Sequence, residues 1–425
     1  MSAVLSVVGA LPKAEPKTWV EQLRKGRDGY AGDERNVVIA LRNAPELRGL
    51  IRFNEFGLVV EFTRSPPWRT CAVGAPWTEP DDTALAVWLQ TEGIRVRGRA
   101  TVADSVFLVA LDAAYHPVRE YLRGLVWDGE PRLETWLELY LNASGDRDYL
   151  AAIGGRFMIS AVARIFRPGC QADHVLTLEG PQGIGKTSVA RALAMVPEWF
   201  AGSLPDVHNK DAALQLVGRW IIELAELKAI RYAQLESIKA FLTETVDTFR
   251  PPYGRRTSQF PRQSVFIATT NESEYLRDRT GNRRYWPVRC GSVNLAALMA
   301  DRAQLWAEAV YEFDQGATWH LTADEAELAE QEQRGRVYVT EIEADVGEFL
   351  VRLRADGDDE VSVRDVLVNC LRMDPTSAGY AESARRLGPA VAEALEHCGW
   401  QKVGRRRGGP GRRTIYRFSG QGGQG

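Results

Sequence analysis

Residues 174 to 187 read HVLTLEGPQGIGKT, an apolar run that breaks into three glycines and ends on Lys186 and Thr187. The spacing Gly180, four residues, Gly185, Lys186, Thr187 is that of a loop whose backbone wraps phosphates. Successive N–H groups in such a loop, together with the start of the helix that follows, form an anion site. Gly180, Gly183 and Gly185 would let the backbone approach, Lys186 would reach the β- and γ-phosphates, and Thr187, with Ser188 beside it, would hold Mg2+. By average amino-acid usage the pattern arises in roughly one chain in a hundred of this length, so the flanks decide. Val175, Leu176 and Leu178 predict a strand before the loop, and SVARALAMV has helical spacing after it. The alternative, a glycine-rich turn with a surface lysine, does not require that context.

Hydrolysis at such a loop also needs acids on a neighbouring strand. GRWIIELAEL (218 to 227) supplies two, because the apolar run Trp220 to Ile222 delivers Glu223 at a strand end and Glu226 follows one turn on. One can enter a magnesium shell while the other orients water, and the residues leave open which does which. SVFIATTN (264 to 271) predicts a third strand ending in Asn271. Polar residues at the carboxyl ends of parallel strands face the ligand crevice, which suits Asn271 to sense a γ-phosphate or place the attacking water; the plainer reading is a turn-forming asparagine. RTGNRRYWPV (279 to 288) presents Arg283 and Arg284 beside a turn. Either could act as an arginine finger across a subunit boundary, with a structural ion pair as the alternative.

Two basic stretches point to a polyanionic partner. TFRPPYGRRTSQFPRQS (248 to 264) carries Arg250, Arg255, Arg256 and Arg262 with no acid, plus Tyr253 and Phe260, and predicts an exposed hairpin or loop. Arginines suit phosphates and Tyr253 could stack on a base. From Gly399 onward Lys402, Arg405, Arg406, Arg407, Arg412, Arg413 and Arg417 stand without any acid. Such an excess would bind a phosphate backbone with strong salt dependence; a basic solvated surface or a protein-docking module is the alternative.

The elements that must position these groups divide the chain into five segments. Residues 1–105 form an N-terminal α+β region whose role the pattern does not disclose, and 106–172 a helical segment leading into the core. Residues 173–335 alternate strand and helix in the manner of a parallel sheet, with a helical stretch at 299–333. Residues 336–418 read as short strand, helix, longer helix and two strands, a winged-helix-like basic domain, and 419–425 as a disordered tail. A formal charge of −3 gives no global signature of nucleic acid or membrane. Five scattered cysteines argue for a reducing compartment. No run of 18 apolar residues occurs, so the expectation is a soluble cytoplasmic protein with no membrane partner.

These motifs, in this order and spacing, resemble the virulence-associated protein E family, whose ATPase core is similar to the superfamily 3 helicases of phages and small viruses. The likeness rests on DHVLTLEGPQGIGKT, NKDAALQLVGRWIIELAEL, ESIKAFLTETVDTFRPPYGRR, FIATTN and DRTGNRRYWPV, and extends upstream through NEFGLVVEF and HPVREYLRGLVWDGEPRLETWL. The resemblance implies an α/β, AAA+-like P-loop core, hydrolysis of ATP with Mg2+, assembly into a hexameric ring, and work as a DNA helicase or translocase on single-stranded or forked DNA in the replication of phage or mobile-element DNA, beside replication proteins. In superfamily 3 relatives a hairpin in the interval of 248–264 projects into the ring channel and follows DNA. The acidic motif departs from the adjacent pair common in this class, since Leu224 and Ala225 separate the two glutamates. A nucleotide-switched DNA-binding or replisome-regulating ATPase without processive unwinding is the alternative use of the same core.

Overall fold

The computed structural model describes residues 18–27, 29–204, 207, 212–225, 232–251, 256–276, 282–337, 341–377, 379–407 and 412–419, with the side chains of 232–236, 341, 405–407 and 412–413 left aside. The chain divides into two compact units, Met1–Ser273 with Arg283–Gln333, and Glu274–Asn282 with Arg334–Gly425.

The larger unit holds two cores. In the N-terminal one, helices Glu34–Asn43, Glu79–Thr91 and Arg99–Leu111 bury their apolar residues with a three-stranded sheet and the hairpin Ile51–Asn54/Val59–Phe62. The expected break between residues 105 and 106 falls inside the helix Arg99–Leu111. Val102, Val106 and Val109 on that helix all belong to the N-terminal core, so the helix starts before the expected break and the N-terminal core extends beyond it.

The second core surrounds a sheet of five strands, here β1 (Val175–Glu179), β2 (Phe200–Ala201), β3 (Ile221–Ala225), β4 (Val265–Thr270) and β5 (Tyr285–Arg289). Their order is β5-β1-β4-β3-β2 and every neighbouring pair is parallel. All five residues of β1 and all six of β4 are buried, as strands covered on both faces must be. Pro287, which cannot donate to a ladder, sits in the edge strand β5. Helices α1 (Arg147–Phe166), α2 (Lys186–Leu193) and α3 (Leu295–Asp314) cover the sheet. Asp146 caps α1 by accepting from the Tyr149 amide, and Asn294 caps α3 through that of Ala297. By length and composition α1 could cross a membrane, yet Ile153, Phe157 and Val162 are fully buried and it is a core helix. Trp220 and Trp306 pack with ring centroids 4.3 Å apart, and their indole N–H groups donate to Ala161 O of α1 and Leu193 O of α2. The stretch expected to be helical over 299–333 is two helices, α3 and Ala323–Arg334, interrupted at Gly316, whose φ is +86°.

Just ahead of β4 the chain forms an antiparallel ribbon, Val246–Phe249 with Ser258–Pro261. The smaller unit packs helices Glu341–Ala355 and Tyr380–His397 against an antiparallel sheet ordered Glu360–Ser362, Arg412–Phe418, Trp400–Arg407. Its core includes Val346, Leu350, Val391, Leu395, Trp400 and Tyr416.

Candidate functional site

A parallel sheet opens a crevice at the carboxyl ends of its strands where the order reverses. Here that point lies between β1 and β4. The loop after β1 turns into α2 through Gly185, at φ +102°, and begins with Gly180, at φ +143°. A Cβ on Gly180 would lie 2.9 Å from Cys290 O, so the loop can pass β5 there only as glycine. Among the described residues, none of the amides from Gln182 to Lys186 donates to a protein acceptor. They are therefore available to an anion.

Lys186 is 7 % exposed, and its Nζ donates to Gly180 O at 2.6 Å, Pro181 O at 2.8 Å and Asn271 Oδ1 at 2.9 Å. All three acceptors are uncharged. Burial accordingly moves the ammonium below its usual pKa range, with Cys290 and Glu223 opposing that shift. Across the cleft, Glu223 Oε1 accepts from Thr187 Oγ1 at 2.7 Å and from Thr269 Oγ1 at 2.8 Å, and the glutamate is 1 % exposed. Gln182, Gly183, Gly185, Lys186, Thr187, Ser188, Ala225, Thr269, Thr270 and Asn271 enclose about 370 Å3, within the roughly 300–1,000 Å3 of small-molecule sites. The loop, Glu223 and Asn271 thus come together as the sequence proposed. Glu223 lies in the middle of β3 rather than at its end, because the strand continues through Ala225. Glu226 falls outside the described residues. Thr269 and Thr270 are additions, and the rule that picked out Asn271 at the end of the same strand would have found them.

The arginines sort differently. Arg283 and Arg284 immediately precede Tyr285, which pairs with Val175 at the start of β1. At about 3.3 Å per residue, the length of β5 puts them roughly 13 Å or more from the phosphate loop, at the opposite edge of the sheet. Neither can serve its own cleft. Arg284 is also committed within the chain, with Nε 3.3 Å from Asp173 Oδ2 and Nη2 donating to Thr243 Oγ1, whereas Arg283 is exposed. The structural ion pair is therefore the role of Arg284.

In the ribbon, Arg250 and Arg256 are exposed at the two ends of its connecting segment, and Tyr253 and Arg255 lie outside the described residues. Arg262 is a correction: it is 2 % exposed, its Nε donates to Asp247 Oδ2 at 3.0 Å, its Nη1 donates to Phe241 O, and its guanidinium lies 4.5 Å from the Phe241 ring centroid. A guanidinium so enclosed cannot meet a nucleic acid. The side chains of Arg405, Arg406, Arg407, Arg412 and Arg413 lie outside the described set, though their backbones pair across the two long strands of the smaller unit.

The sheet and its cleft define an α/β protein that offers unclaimed backbone amides and a lysine to an anion at the carboxyl edge of a parallel sheet. Residues 122–338, half of the chain, match the virulence-associated protein E-like domain, and the chain belongs to that family. No curated protein matches it. Among solved structures it is similar to the apo structure of the NrS-1 C-terminal region (305–718), with a TM-score of 0.44 and 12 % identity over 87 % of this chain and 96 % of that one. A second, A-form apo structure of that region has a TM-score of 0.44 and 13 % identity over 91 % and 99 % of the two chains.

Proposed function

We propose that the chain is a magnesium-dependent ATPase with a P-loop core of the AAA+ type, a motor that acts on single-stranded or forked DNA in the replication of phage or mobile-element DNA in the cytoplasm. One observation carries the reading: Lys186 spans the cleft from the glycine loop to Asn271, beside a Thr187–Glu223 hydrogen bond. The free loop amides bind phosphate oxygens. Lys186 exchanges uncharged carbonyls for a charged partner, a stronger hydrogen bond. Asn271, released from the lysine, is then placed to orient water, with Glu226 as the remaining acid of the motif. The donor set suits magnesium, since the hydroxyl of Thr187 and the carboxylate of Glu223 are hard oxygen ligands 2.7 Å apart. Magnesium held there would neutralise charge on the β- and γ-phosphate oxygens.

Exposure of Arg283 at the far edge supports its service as a finger to a neighbouring subunit, in a hexameric ring. The ribbon, with Arg250 and Arg256 beside its tip, is the DNA-tracking element. The smaller unit, with helices packed on an antiparallel three-stranded sheet, is a winged-helix-like DNA contact, and replication proteins are further partners. The test is ATP hydrolysis with and without single-stranded DNA, for the wild type, Lys186→Ala, and Arg250→Ala with Arg256→Ala. The expected result is DNA-stimulated hydrolysis, none in Lys186→Ala, and only the unstimulated rate in the arginine variant. Hydrolysis that survives Lys186→Ala would overturn the site.

A further inference from the structure

The N-terminal core reaches the base of the ribbon through one turn and one histidine. Asn54 builds the turn: its Oδ1 accepts the amides of Phe56 at 3.0 Å and Gly57 at 2.9 Å, and its Nδ2 donates to Glu61 Oε1 at 2.7 Å. Glu61 is itself buried and accepts from Arg52 and Tyr115. A turn so fixed turns Phe56 away from its own hairpin. Phe56 is buried among the residues of the sheet core, its carbonyl accepts the Gly218 amide just ahead of β3, and its ring lies 5.2 Å from that of His116.

His116 has both ring nitrogens occupied. Nδ1 accepts the Arg119 amide at the start of helix Pro117–Arg123, so Nε2 carries the proton and donates to Gln263 Oε1 at 2.6 Å. Gln263 lies in the segment that connects the ribbon to β4. Between the turn and the ribbon remains a gap of about 50 Å3, lined by Phe56, Leu58, Leu216, Phe249, Phe260 and Arg262. The stacked pair Phe249–Phe260, with centroids 4.4 Å apart, borders this pocket. The ribbon is anchored firmly on the sheet side by Arg262 and Asp247, and on the N-terminal side by the contacts of Phe56 and His116.

We propose that the N-terminal core braces the ribbon, with Phe56, His116 and Gln263 as positioning residues that hold its return strand at the angle from which the basic tip meets DNA. This rests on the reading of the ribbon as the DNA-tracking element. The brace meets the amino edge of the sheet, so altering it leaves the nucleotide cleft at the carboxyl edge untouched.

The experiment measures affinity for a labelled single-stranded oligonucleotide by fluorescence anisotropy, basal ATPase and Tm, on the full chain carrying Gln263→Leu, His116→Ala, Phe56→Ala or Phe56→Leu. Arg250→Ala with Arg256→Ala is the control. Gln263→Leu is expected to weaken DNA binding about five-fold with basal ATPase unchanged and Tm somewhat lowered, because the buried Nε2–H of His116 loses its acceptor; Phe56→Ala should weaken DNA binding similarly and Phe56→Leu restore most of it. Unchanged DNA affinity in Gln263→Leu, while the arginine control weakens, would overturn the brace alone. If the control also binds normally, the ribbon reading fails and the brace with it. Gln263 is only half-buried, so its replacement remains informative should Phe56→Ala fail to fold.

Discussion

The two edges of the parallel sheet handle charge in opposite ways. At the carboxyl edge Lys186 is buried against three uncharged oxygens, and burial lowers its pKa. At the amino edge Arg262 is paired with Asp247 and Arg284 with Asp173. Arg164, also there, is the exception: among the described residues it donates to the carbonyls of Ala172 and Arg262 and not to a carboxylate, and burial pushes its pKa down to about 10. A charge left without a counter-charge in the resting chain is one that a ligand can match. A charge already matched holds structure and is costly to disturb. A buried cation thus marks a site at one edge and a scaffold at the other.

The sharpest way to break this contrast is to compare the neighbours Arg283 and Arg284. If Arg283 completes a neighbour's cleft, Arg283→Ala lowers kcat by about a thousand-fold, the scale of a lost arginine finger, with Tm unchanged. Arg284→Ala should do the reverse, lowering stability by about 1–3 kcal/mol, the cost of an unmatched buried partner, while the nucleotide affinity of the folded protein persists. Steady-state kinetics and thermal melts on both variants decide it, and a large loss of activity in Arg284→Ala at unchanged Tm would reverse the assignment.

Asp247→Ala strands Arg262 and should cost about 3–5 kcal/mol by chemical denaturation. Replacing both partners, Asp247→Leu with Arg262→Met, should recover most of that loss, because breaking a buried pair costs more than exchanging it for apolar residues. A single variant as stable as the wild type would mean that Arg262 has another anchor sufficient to hold it.

What the sequence made legible follows the same divide. The phosphate loop, Glu223 and Asn271 depend on neighbours close in sequence: glycines that allow positive φ, an apolar run that makes a strand, a polar residue at its end. Arg262 does not. It was read within a stretch, 248 to 264, that holds no acid, and its partner Asp247 lies one residue before that stretch, brought alongside by the ribbon register Pro261↔Val246. Arg284 is matched by Asp173 from across β1 and β5, a pairing that only strand order discloses. The alternation of strand and helix announced the parallel sheet, whereas the order β5-β1-β4-β3-β2 came from tertiary packing. The helix Arg99–Leu111 was placed too late because RATVADSVFLVAL is apolar on several sides and shows little amphipathic periodicity.

The smallest of these effects probes whether the amino edge tolerates a new charge. His174, just ahead of β1, is buried, stacks on Trp286 with centroids 3.9 Å apart, and has Nε2 2.9 Å from Ser160 Oγ. Burial, with His320 and Arg164 adding to it, holds its pKa down at about 3. An unfolded histidine titrates near 6.5, so between about pH 6.5 and 3 the unfolded chain takes up a proton that the folded one refuses. Stability from this group is complete above pH 6.5 and declines as pH falls, by about 2 kcal/mol at pH 5 relative to pH 7.5. His174→Gln should remove that share of the acid sensitivity while lowering stability at pH 7.5 through lost stacking. Urea melts at the two pH values separate the terms. If the wild type and His174→Gln lose equal stability on acidification, His174 accepts its proton in the folded protein, and the neighbourhood of Arg164, Asp173 and Arg284 accommodates a charge that the contrast between the edges says it should exclude.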